Sequence, residues 1–129
     1  MRPLRLQFRA LNMAFFMFLG VGIGPDAHAH AVVVTSDPAA GSQSAVLPDR
    51  FAVRFNSRVD HARSRLVLIG PGGGQHPLMP APGAEPTALV GSLPPGPPPP
   101  PGAWRLRWQV LAIDGHITRG DIPFTLRGP

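Results

Sequence analysis

From residue 31 onward the chain alternates apolar and polar positions in short runs, and no stretch keeps a helical period. FAVRF (51–55) sets Phe51, Val53 and Phe55 against Ala52 and Arg54, the signature of a half-buried strand. WRLRWQV (104–110) is the clearest case: Trp104, Leu106, Trp108 and Val110 face one way, Arg105, Arg107 and Gln109 the other. RLVLI (65–69) is continuously apolar, short and closed by GPGGG, which favours a buried strand over a helix. DIPFTL (121–126) repeats the alternation with Ile122, Phe124 and Leu126, while Pro123 predicts an edge or a bulge because it lacks the ladder donor. AVVVTS (31–36) is β-branched and predicts the first strand.

Turn chemistry separates these runs. DPAAGS (37–42) and GPGGGQHP (70–77) are predicted turns. LPPGPPPPPG (93–102) cannot join a ladder and is expected as a stiff, exposed polyproline-II excursion. Short strands, Gly/Pro turns and no helices predict an all-β sandwich or barrel, with the two tryptophans anchoring its core.

The first 29 residues change the picture. MRPLRLQFR carries three arginines and no acid, ALNMAFFMFLGVGIG is apolar, and PDAHA ends in Ala-x-Ala, so residues 1–29 read as a cleaved signal peptide. The apolar run is short of the roughly 20 residues that a membrane span needs. The remaining 30–129 form one domain, large enough for a core without staples. There is no cysteine, so neither a disulfide nor a thiolate metal site is available. Nine arginines against six acids in residues 30–129 give +3, too weak to argue for a nucleic-acid partner.

Candidate chemistry rests on histidines. Residues 30–129 contain His30, His61, His76 and His116. Cleavage after Ala29 would make His30 the first residue, offering its α-amine and imidazole as one chelate. Cleavage after Ala31 would remove it. Cleavage after Ala27 would create His28-Ala29-His30, a different copper motif without Asp114. Asp114-Gly115-His116 is the second constellation. Residues i and i+2 on an extended segment point to one side, so Asp114 and His116 can address a shared point. Joined to His30 they make an N,N,N,O set suited to Cu(II), which leads the affinity order and takes tetragonal N,O sites.

HAVVVTSDPAAGS (30–42), FAVRFNSRV (51–59) and PGAWRLRWQVLAIDGHITRGDIPFTL (101–126) together resemble the CopC-type periplasmic copper-binding proteins over nearly all of the chain after residue 29. The resemblance implies a Greek-key β-sandwich, immunoglobulin-like or cupredoxin-like. It also implies a Cu(II) site of His30, by amine and ring, with Asp114 and His116. Many members add a methionine-rich Cu(I) loop. Here the matching GGGQHPLM keeps only His76 and Met79, and Cu(I) prefers several soft ligands, so a tight Cu(I) site is not expected. Some members place a carboxylate just after the strand-ending Phe, where this chain has Asn56, Ser57 and Arg58. His61 has no counterpart and reads as solvated.

The function expected is a monomeric periplasmic carrier that binds one Cu(II) per chain and passes it to an inner-membrane importer or another copper protein, in copper homeostasis, resistance or uptake. It is not read as an enzyme. A histidine chelate also serves oxygen-activating copper enzymes, but they need an open coordination position that Asp114 would fill. A metal-free interaction module is the remaining class, and it predicts indifference to His30→Ala.

Overall fold

The sequence pattern folds into nine strands, with a single 3-10 turn at His61–Arg63 and no α-helix among the described residues. The computed structural model describes residues 30–128, so the expected signal segment lies outside the described residues. The strands are β1 (Val33–Asp37), β2 (Gln43–Ser44), β3 (Phe51–Phe55), β4 (Arg65–Ile69), β5 (Gln75–Pro77), β6 (Met79–Pro80), β7 (Ala88–Ser92), β8 (Gly102–Leu111) and β9 (Ile117–Leu126). They form a four-stranded sheet, β1-β3-β7-β6, and a five-stranded sheet, β2-β9-β8-β4-β5. The chain crosses repeatedly between the two, as in a Greek-key sandwich.

The faces follow the alternation. Phe51, Val53 and Phe55 from one sheet and Leu66, Leu68, Trp104, Leu106, Trp108, Val110, Ile122, Phe124 and Leu126 from the other are buried in one core. Each such side chain contributes about 1.5–3 kcal/mol on burial. Phe55 and Trp108 meet edge to face across the sheets, with centroids 5.2 Å apart. Trp108 pairs in register with Gly120. A Cβ at 120 would lie 2.6 Å from its ring, so glycine is what lets the indole lie flat on β9.

Pro123 sits on β9, whose outer side is covered only briefly by β2. Its carbonyl accepts from Gly41 N–H at 2.7 Å, so the missing donor also falls on that outer side. Two runs differ from expectation. Residues 75–77 of the predicted turn form β5, and β7 is not signalled by the sequence pattern at all. Its Gly91 lacks strand propensity, but a Cβ there would lie 3.0 Å from Leu78 Cβ and from the Met79 carbonyl oxygen, so the glycine admits β6. The Pro-rich segment is an irregular, largely exposed connection, as expected.

Candidate metal centre

The long β8–β9 hairpin ends in a tight turn. Ala112 N–H donates to the His116 carbonyl, and Gly115 N–H donates to the Ala112 carbonyl, each at 2.9 Å. Gly115 has φ +87°, a left-handed conformation that side-chain-bearing residues rarely adopt. That bend, and not the extended segment expected from the sequence, places Asp114 beside the residue two further on. Asp114 Oδ1 accepts the His116 backbone N–H at 3.0 Å, and Oδ2 lies 3.1 Å from His116 Nδ1. The turn is braced from below, because Ile113 N–H donates to the Arg58 carbonyl and Asp60 N–H to the Leu111 carbonyl.

His30 reaches the same point from the start of the domain. Ala31, its neighbour, is buried in the core, and Thr118 Oγ1 donates to the Ala31 carbonyl at 3.4 Å. Val32 is clamped from both sides by Asn56: the amide Oδ1 accepts Val32 N–H at 2.8 Å, and Asn56 N–H donates to the Val32 carbonyl at 3.0 Å. The His30 and His116 rings lie 5.3 Å apart, edge to face. Donor atoms of His30, Asp114 and His116 all fall within 4.8 Å of one another, and all three residues are exposed. Donors about 2 Å from one ion lie about 3–4 Å apart, so closure needs about 1–2 Å of movement from exposed side chains.

Electrostatics favour a cation there. The Asp114 carboxyl is held below its ordinary value, chiefly by the His116 backbone N–H; partial desolvation opposes this, and the ring of His116 and then the nearby His30 add to the lowering. It is therefore ionised at neutral pH.

The remaining histidines lie elsewhere. His61 is exposed but not merely solvated: its Nε2 lies 2.8 Å from the Ala88 carbonyl and 3.1 Å from that of Glu85. His76 packs on Trp104 with ring centroids 5.8 Å apart, beside the Pro-rich connection. Met79 does not line that recess; it belongs to β6 in the other sheet, past the buried Leu78. Sequence reasoning overlooked Asn56 as a support. It noticed only the missing carboxylate, and an amide that grips a backbone leaves no spacing signal.

Sheets, hairpin turn and donors together define a class of small β-sandwich with a nitrogen- and oxygen-donor cluster at one end. Residues 33–127 match the family model described as the CopC domain, and the chain belongs to the CopC family. It is 32% identical over 117 residues to Copper resistance protein C of Escherichia coli, covering 84% of this chain and 90% of that one. It is 26% identical over 119 residues to Protein YobA of Escherichia coli K12, covering 92% and 96%. Among solved structures, CopC from Methylosinus trichosporium OB3b superposes with a TM-score of 0.67 at 25% identity, covering 77% of this chain and 95% of that one. PcoC, a methionine-rich copper resistance protein from Escherichia coli, gives a TM-score of 0.60 at 28% identity, covering 77% and all of that chain. Residues 30–129 here contain one methionine, Met79.

Proposed function

We propose that this protein is a periplasmic carrier and buffer for Cu(II) in copper homeostasis, resistance or uptake, binding one ion per chain. Residues 1–29 are removed as a signal peptide, and 30–129 form the working domain. His30 supplies amine and imidazole, His116 a second imidazole, and Asp114 a carboxylate. One observation carries this reading: the His30 ring lies against the Asp114–His116 turn although 86 positions separate it from His116. The ionised Asp114 holds no proton for the metal to displace, and a hard anion beside nitrogens favours Cu(II) over Cu(I). Exposure of all three residues suits a site that must release its ion to a membrane importer or another copper protein. The resistance protein among its relatives supports a role in copper handling rather than catalysis.

The test is the intact mass of the exported protein, with and without one equivalent of Cu(II). A chain beginning at His30 that gains one copper, and loses that gain with His116→Ala, is the expected result. A chain beginning at Val32, or one beginning at His30 that retains no copper, refutes the proposal.

A further inference from the structure

The arginines are not evenly placed. Along β4, β8 and β9 the outward positions hold Arg65, Arg105, Arg107, Arg119 and one acid, Asp121. Register aligns Arg65, Gln109 and Arg119 in one row across the sheet, with Val67, Arg107 and Asp121 in the next. Four arginines less one aspartate make +3 on this face. Elsewhere in residues 30–129, Arg50, Arg54, Arg58, Arg63 and Arg127 balance Asp37, Asp49, Asp60, Glu85 and Asp114. The whole net charge of the domain therefore sits on the outside of the five-stranded sheet.

The face is also shaped. A trough of about 680 Å³ runs over it, with Arg65, Arg107, Arg119, Gln75 and Gln109 in its walls together with Asp121. Asp121 already receives Arg107 Nε at 2.8 Å and Arg105 at 2.9 Å, so it does not neutralise Arg65 or Arg119. Among the described residues the Arg65 guanidinium donates to the neutral Gln109, at 3.5 Å, and enters no ion pair.

We propose that this trough docks an acidic, extended protein segment, whose carboxylates pair with Arg65 and Arg119 while glutamines serve its backbone. Guanidinium forks match carboxylates bidentately, and amide side chains both donate and accept. A membrane is a poor occupant, because a planar headgroup layer does not enter a concave trough and none of these wall residues is a large exposed apolar anchor. Arg119 lies three residues beyond His116, about 10 Å along an extended strand, so one end of the trough points toward the end of the sheet that bears the proposed copper site. The docking itself needs no copper.

The probe is a fluorescent, alternating Asp-Glu peptide of about a dozen residues, titrated by anisotropy into the exported, copper-free protein at low ionic strength. Saturable binding is expected, weakening steeply with salt and by about tenfold or more in Arg65→Glu/Arg119→Glu. Arg50→Glu, off this face, should change it by less than about twofold. No saturable binding overturns the proposal, as does an equal loss in both variants. Tighter attachment to phosphatidylglycerol vesicles than to the peptide also overturns it, in favour of a membrane. Copper uptake by mass in the same samples separates a failed trough from a failed metal site.

Discussion

Asn56 acts on the proposed site at one remove: its side-chain Oδ1 and its backbone N–H both hold Val32, two residues from His30. Removing the side-chain acceptor frees the segment that aims the histidine. Asn56→Ala should lower Cu(II) affinity by about tenfold, read by competition with a chelator of known strength, with little change in the unfolding midpoint. Gly120 acts through shape alone. Gly120→Ala drives a methyl into the Trp108 ring and should cost about 1–3 kcal/mol in urea unfolding, without altering copper stoichiometry in what remains folded. His30, Asp114 and His116 were legible as candidates, and the structure does bring them together, though on a glycine turn and not on the extended segment the i,i+2 spacing suggested. Asn56 and Gly120 were not: their roles lie in what a partner strand brings against them.

At the scale of elements, the β8–β9 hairpin both bears the proposed metal-binding turn and carries the best-organised ion pairs. Arg107 meets Asp121 in a fork, through Nε at 2.8 Å and a second nitrogen at 3.0 Å. The Arg107 side chain is the main cause holding the Asp121 carboxyl below its usual value, against partial burial, with Arg105 helping. A lowered folded value means the pairs' contribution is complete above the ordinary carboxylate value near 4 and is lost as pH falls through the lowered one. Asp121→Asn should therefore cost at most about 1 kcal/mol at neutral pH for pairs this exposed, and nearly nothing at about pH 2, in matched urea titrations. Five of the nine strands announce themselves by alternation, an apolar run or β-branching. The rest are two- or three-residue pairings or, in β7, a strand centred on a glycine, where no period has room to appear.

For the whole molecule, sheet class was legible because the segments after residue 30 favoured short strands between Gly/Pro turns, with no helical period. Which strands share a sheet was not legible, because pairing is decided by the core that forms between them. The charge polarity of the molecule escaped notice for the same reason: a net +3 spread along the sequence becomes one face only after register is set. A ligand that binds only the folded state stabilises it by mass action. At free Cu(II) about a hundred times the dissociation constant this amounts to about 2.7 kcal/mol, raising the thermal midpoint by roughly 10 °C. Added chelator should reverse the rise, and His116→Ala should abolish it.

The proposed donors come from opposite ends of the domain. His30 precedes the first strand, and Asp114 and His116 cap the last hairpin. In an unfolded chain they sit some 84 to 86 positions apart and act as separate, weak ligands. They become one multidentate site only when β1 has closed on β3 and the final hairpin has formed. On the proposed function, copper capture would act as a certificate of completed folding: a nascent or misassembled molecule would hold no ion tightly, and what left with metal would already have been inspected by its own geometry.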